Sequence, residues 1–171
     1  MTQRVKVALV GCGNIAQSHW KGIQAEAPQI EVTAIVDTHT GRATAMAEQT
    51  GSKAYASLEQ ALSTGDFDAV DIMLPHYLHE EAAISAFAAG KHVVLEKPMA
   101  PTIDACDRIL AAAKAAGTVF MIAEQSHYWP DTLKMQELIS SGTIGEIITA
   151  RAYFGNAAGI HTGPKPWRYE L

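Results

Sequence analysis

Short apolar runs alternate along this chain with longer segments whose apolar residues recur every three or four positions. Val5-Lys-Val-Ala-Leu-Val10 is β-branched and mostly apolar, which predicts a strand. Gly11 and Gly13 interrupt it. Asn14 to Ala27 then carries Ala16, Trp20, Ile23 and Ala27 at helical spacing, and Pro28 marks the stop. Glu31-Val-Thr-Ala-Ile-Val-Asp37 is a second β-branched run that ends on an acid. A short helix over about Gly41 to Gln49 and a short strand at Lys53–Tyr55 follow. Ser57-Leu-Glu-Gln60 has the spacing of a capping box and predicts another helix start. Ala69 to Pro75 reads as a strand, Tyr77 to Ala89 as a helix closed by Gly90, and His92-Val-Val-Leu-Glu96 as a strand. The spacing of Ile103, Cys106, Leu110 and Ala113 predicts a helix over Thr102–Ala116, and Thr118–Ala123 is the sixth strand.

Strands this continuously apolar are buried on both faces, as in a parallel sheet covered by helices on each side. The expected fold is therefore a doubly wound α/β domain of the Rossmann type over residues 1–125. The pattern then changes, and residues 126–171 read as the beginning of an incomplete α/β C-terminal domain. Pro130 leads into a helix over about Asp131–Ser141, and residues 144–154 read as one long strand. A lone strand of that length needs partners, so self-association through an exposed edge near residues 146–154 is expected.

Composition narrows the function classes. The formal net charge of −5, with no Lys/Arg-rich block, gives no reason to expect a nucleic-acid partner. No apolar run reaches the roughly 18 residues of a spanning helix and no signal-like segment opens the chain, so no membrane partner is expected. Two cysteines, Cys12 and Cys106, make neither a metal nor a disulfide framework and fit a cytoplasmic location.

The candidate chemistry begins at the first turn. Gly11-Cys-Gly-Asn-Ile-Ala16 is a G-x-G-x-x-A pattern between a predicted strand and a predicted helix. There the first Gly makes the tight turn, the second lets backbone approach a pyrophosphate, and the small third residue allows close helix–strand packing. Asn14 and Ile15 open the helix whose N–H groups would meet the anion. Asp37 lies 21 positions after Ala16 (37 − 16), close to the roughly 20 expected for an acid that accepts hydrogen bonds from a ribose diol. An acid here favours NAD; Arg42, five residues on, could reach a 2′-phosphate and leaves NADP open.

Glu96-Lys97-Pro98 follows the fifth strand, at the carboxyl end where open α/β sheets bind ligands. Removing hydride from a carbinol carbon also requires loss of the hydroxyl proton. A primary amine becomes a useful base once burial or a nearby positive charge lowers its affinity for that proton. Lys97 is thus a candidate acid–base group, weighed evenly against a solvated lysine at a strand end. Pro75-His-Tyr-Leu-His79, after the fourth strand, lines the nicotinamide end of such a cleft or caps a helix. Three-residue spacing of His76 and His79 beside Glu80 is compatible with metal, but no third ligand is evident and no metal is expected. His19, His39, His92, His127 and His161 are individually uninformative, and nothing flanking Cys12 suggests a nucleophile.

Gly11-Cys-Gly-Asn-Ile-Ala16 with His19, then Pro75-x-x-x-His79, then Ala89-Gly-Lys-His-Val-Val-Leu-Glu-Lys-Pro-Met-Ala100 together resemble the Gfo/Idh/MocA family of oxidoreductases. The resemblance continues through Ala123-Glu-Gln125, Gly145-Glu-Ile and Trp167-Arg168. It implies an N-terminal Rossmann domain, a C-terminal α/β domain with an open antiparallel sheet, and hydride transfer between NAD(P) and a hydroxyl carbon of a sugar, polyol or related small molecule. It also implies residue roles: pyrophosphate at Gly11, Gly13, Asn14 and Ile15, ribose at Asp37, and the nicotinamide side at Pro75, His76 and His79. Glu96 and Lys97 lie at the reacting end, with Lys97 assisting at the hydroxyl, and Trp167-Arg168 matches a segment that reaches back to the cofactor in relatives. Relatives continue beyond Trp-Arg into further active-site groups that this sequence, ending at Leu171, does not contain. Two expectations result: an NAD(P)-dependent dehydrogenase, or a dinucleotide-binding module without turnover.

Overall fold

The computed structural model describes residues 4–153 and 155. The described residues divide into two units, residues 4–123 and residues 124–153 with 155. The described part of the first unit is a six-stranded sheet in the order β3-β2-β1-β4-β5-β6. The strands are β1 (Val5–Val10), β2 (Ile30–Val36), β3 (Lys53–Tyr55), β4 (Ala69–Ile72), β5 (His92–Glu96) and β6 (Phe120–Ala123), and every pairing is parallel. Because every pairing is parallel, all six carboxyl ends share one edge, and the order reverses between β1 and β4, where such sheets place their ligand crevice. This is the expected doubly wound α/β architecture.

Helices α1 (Asn14–Glu26), α2 (Thr40–Thr50), α3 (Leu58–Thr64), α4 (His79–Ala88) and α5 (Ile103–Ala116) cover the sheet. Period-two alternation along β1 sends Val7 and Leu9 to one face and Ala8 and Val10 to the other. Val7, Leu9, Val32, Ile35 and Ala69 pack with Ala16 of α1 and with Ala43 and Met46 of α2. Ala8, Val10, Val70, Ile72, Val93 and Leu95 pack with α3, α4 and α5 through residues such as Ala61, Ala83, Phe87 and Ile109. Leu9, Ile35, Ile72 and Leu95 are fully buried, each worth about 1.5–3 kcal/mol of removed apolar surface. Small residues on the inner helix faces allow that close approach.

Element ends follow local chemistry. Ser57 Oγ accepts from Gln60 N–H at 3.1 Å, and Gln60 Oε1 reaches back to Ala56 N–H at 3.3 Å, so the capping box starts α3 one residue after Ser57. Thr102 caps α5 in the same way, through Ala105 N–H at 3.2 Å. The helix read from Tyr77 begins with a 3₁₀ turn, His76–Leu78, set by Pro75, before α4.

In the second unit, a 3₁₀ turn at Gln125–Tyr128 precedes α6 (Pro130–Ser140), which has Pro130 in its first turn and no buried residue. The long strand expected over 144–154 is corrected here: residues 144–153 form no strand, and Phe154 lies outside the described residues. β-branched residues do not make a strand without a ladder, and none of the described strands pairs with this segment. Edge-to-edge association through it therefore has no strand to act through among the described residues.

Candidate functional site

Four adjacent strands deliver the candidate residues to one sheet edge. Gly11 leaves β1 with φ of +96°, and a Cβ built there would lie 2.6 Å from the Met73 carbonyl oxygen. Only glycine fits that turn. Gly13 is a different case. It has ordinary backbone (φ −75°), and a Cβ there would meet nothing within 4 Å. The protein itself imposes no steric demand for glycine at 13, and the open space lies at the start of α1.

That helix start is chemically distinct from three others. His39, Ser57 and Thr102 cap α2, α3 and α5 with side-chain acceptors, whereas Gly13 offers α1 none and its first turn carries no acid. Backbone N–H groups at this terminus are left for an external acceptor, with the positive end of the helix dipole behind them. The fit to a pyrophosphate is good: open space, no side-chain cap and no acid in the first turn of the helix. Asn14 and Ile15, the first two helical residues, are both exposed there.

Asp37 follows β2 and is buried, at 7% exposure. Its Oδ2 accepts from Cys12 N–H at 2.8 Å and its Oδ1 from His39 N–H at 2.7 Å. Arg42 adds a two-pronged contact, Nη2 to Oδ1 at 2.8 Å and Nε to Oδ2 at 3.2 Å. Burial alone would raise the carboxyl pKa, but the Arg42 guanidinium and the two backbone donors hold it below the usual aspartate value. Asp37 thus fastens the glycine turn to β2 and keeps its negative charge beside it. Cys12, between the glycines, is pushed up to about 11, first by burial and then by the Asp37 charge, so its thiol stays protonated and unreactive.

At the other end, β5 stops at Glu96, and Lys97 and Pro98 are exposed beyond it. His79 is 1% exposed; its Nε2 lies 2.8 Å from Leu74 O and its Nδ1 3.0 Å from Pro98 O. The ring ties the exit of β4 to the segment holding Lys97. His76 is half-buried in the 3₁₀ turn, its ring centroid 6.2 Å from that of His79, and Pro75 caps that turn. Glu80 pairs with Arg108 of α5, and both His79 nitrogens face carbonyls, so these three residues do not converge as a metal set.

One cluster escaped the reading of the sequence. His19, on the inner face of α1, bridges two carboxylates: Nδ1 lies 2.7 Å from Asp71 Oδ2 and Nε2 lies 3.1 Å from Glu96 Oε1. The available signal was an acid, Asp71, inside an otherwise apolar strand, on the sheet face that alternation turns toward α1. Trp167 and Arg168 lie outside the described residues.

Comparison with known proteins fits this geometry. The family model for an oxidoreductase family with an NAD-binding Rossmann fold, Gfo/Idh/MocA, matches residues 5–124. The chain belongs to the Gfo/Idh/MocA oxidoreductase family. The matched part is the family's NAD-binding Rossmann fold. A dTDP-3,4-didehydro-2,6-dideoxy-α-D-glucose 3-reductase from Actinomadura kijaniata is 32% identical over 154 residues, 88% of this chain and 45% of that protein. An inositol 2-dehydrogenase from Leifsonia xyli is 31% identical over 164 residues, 95% of this chain and 46% of that protein. Among solved structures, the WlbA dehydrogenase from Bordetella pertussis, in complex with NADH and UDP-GlcNAcA, superposes with a TM-score of 0.80 at 30% identity, covering 85% of this chain and 42% of that one. A 3-ketoreductase from Actinomadura kijaniata, in complex with TDP-benzene and NADP, gives 0.75 at 32% identity, covering 85% and 45%. The chain spans about half the length of the curated relatives it matches.

Proposed function

We propose that this Gfo/Idh/MocA chain forms the cofactor-binding half of an oxidoreductase that moves hydride between NAD(P) and a hydroxyl-bearing carbon of a sugar or polyol. Residues 1–125 are the cofactor domain and 126–171 the beginning of a substrate domain, working in the cytoplasm. The carrying observation is that the uncapped glycine turn, Asp37, the Pro75–His79 segment and Lys97 all follow strands β1, β2, β4 and β5 on one sheet edge.

When bound, nicotinamide supplies the hydride acceptor or donor. The chain's own residues do the rest. Gly11, Gly13, Asn14 and Ile15 seat the pyrophosphate on the start of α1, and Asp37 accepts from the adenosine ribose in place of the exposed Arg42 side chain. Its retained charge disfavours a 2′-phosphate and makes NAD the preferred form, with Arg42 leaving NADP a weaker option. Pro75, His76 and His79 wall the nicotinamide side. Lys97 takes the hydroxyl proton during oxidation and returns it during reduction; Glu96 holds its backbone. Trp167 and Arg168 are assigned to the cofactor only by their place in the family motif.

A second reading, NAD(P) binding without turnover by this chain, is favoured by its span of 45–48% of several relatives. Hydride transfer from an inositol and sugar panel to NAD, followed at the NADH absorbance, separates the two. Turnover that falls about 10²–10⁴-fold in Lys97→Met, with NADH affinity kept, supports the enzyme reading. NADH binding with no turnover supports the second. Failure to bind NADH or NADPH defeats both.

A further inference from the structure

His19 and Asp71, which have no part in the chemistry described above, form a largely buried ionisable cluster with Glu96. Alternation explains its location. Val70, Ile72, Val93 and Leu95 turn toward α3, α4 and α5, so Asp71 and Glu96 turn toward α1. There Ala16 packs into the core and His19, three residues on, lies on the same helix face. The side chains of His19, Asp71 and Glu96 are 19%, 8% and 13% exposed.

The hydrogen-bond inventory limits the protonation state. A neutral imidazole donates through one nitrogen only, so its other contact would set a lone pair against a carboxylate oxygen. An imidazolium donates to both. Asp71 depends on that charge further, because its Oδ1 is buried with no partner among the described protein atoms. Glu96 completes a chain of contacts: Oε1 faces His19 while Oε2 accepts from the Lys97 backbone N–H at 3.0 Å.

The geometry points to His19 as a positioning residue: a doubly protonated bridge that holds Glu96, and through it the Lys97 backbone, against the helix that starts at the glycine turn. The consequence for hydride transfer rests on the role proposed for Lys97 above; the bridge itself does not. The groups facing the ring are Asp71 from β4 and Glu96 from β5, both acids. Their combined effect, Asp71 hydrogen bonding first, outweighs burial and holds the imidazole pKa above the ordinary histidine value. As pH rises through that raised value the ring loses one proton and keeps one partner. The Glu96 contact, at 3.1 Å against 2.7 Å for Asp71, is the one expected to open, releasing the bridge to Lys97.

The test is NMR on the full chain, labelled with ¹⁵N in histidine and in the backbone. Expected at pH 6 are two protonated His19 ring nitrogens, and a Lys97 amide resonance that titrates with the same midpoint as His19, above the ordinary histidine value. His19→Gln should abolish that Lys97 titration, and Glu96→Gln should lower the His19 midpoint. A neutral His19 ring at pH 6, or a Lys97 amide that titrates unchanged in His19→Gln, would overturn the inference. The wild-type titration stands even if the His19→Gln chain fails to fold. NADH binding by the wild-type chain, measured on the same sample, reports on the proposed function separately, so either can fail alone.

Discussion

The two ends of the cofactor edge are held by different kinds of force. At the glycine end, the structure is fixed by backbone: a turn only glycine can make, and a carboxylate gripped by two N–H groups and a guanidinium. At the Lys97 end it is fixed by two histidines that reach across the sheet edge, His19 from α1 and His79 from the start of α4. The first arrangement is insensitive to pH across the neutral range. The second includes a histidine whose pKa is held above its ordinary value by two carboxylates. A Rossmann edge can thus hold its anion-binding end rigid while leaving its reacting end adjustable by protonation.

The largest expected effect is at the rigid end. Gly11→Val puts a branched side chain against the Met73 carbonyl at positive φ and should destabilise the fold by about 3–5 kcal/mol, read from the urea midpoint. Gly13→Ala should leave that midpoint within about 0.5 kcal/mol of the parent yet weaken NADH binding about tenfold or more, because its Cβ meets only the ligand's space. Equal losses of stability in the two variants would erase the distinction between a glycine the fold needs and one the ligand needs.

Removing the charge that each end relies on comes next. Asp37→Ala leaves the Cys12 and His39 N–H groups without their acceptor and should cost about 2–3 kcal/mol; His19→Gln leaves one buried and one half-buried carboxylate without their cation and should cost a similar amount at pH 6. Their pH dependence has opposite sign. Asp37 has a depressed pKa in the fold, so its contribution is present above the unfolded value of about 4 and is lost as pH falls through the folded one. His19 has a raised pKa, so its contribution is complete below about 6.5 and is lost as pH rises through the folded value. Urea midpoints across pH should show an acid limb that Asp37→Asn flattens and a neutral-to-alkaline limb that His19→Gln flattens. A single variant flattening both limbs would contradict the separation of the two ends.

The smallest effect concerns cofactor choice. Arg42→Ala should weaken NADPH binding more than NADH binding, by a few-fold, since the guanidinium is half exposed and Asp37 remains. Titrations of the two cofactors side by side measure the ratio directly.

What the sequence made legible follows the same division. The strand–helix alternation, the glycine turn and Asp37 are signals confined to short stretches, where local sterics decide the outcome, and they lead to the sheet order and the family. His19 belongs to the family motif, but its contacts are not legible there, because they depend on Asp71 and Glu96, 52 and 77 residues away, and no local pattern on α1 encodes them. Two separate clues pointed there: a polar residue on the helix face shared with Ala16 and Ile23, and an acid in the middle of an apolar strand. The segment 144–153 failed in the reverse direction. Ile144, Ile147 and Ile148 are β-formers by type, but strand formation is a property of a pair, and sequence alone supplied only one member.

The central claim is that the uncapped start of α1, with Asp37 beside it, holds an NAD(P) dinucleotide. Its most direct test is an NADH fluorescence titration of the 171-residue chain alongside Asp37→Ala and Gly13→Ala. Saturable binding by the parent is expected, weakened about tenfold or more in each variant. Absence of saturation in the parent, or equal affinity in all three chains, would contradict it.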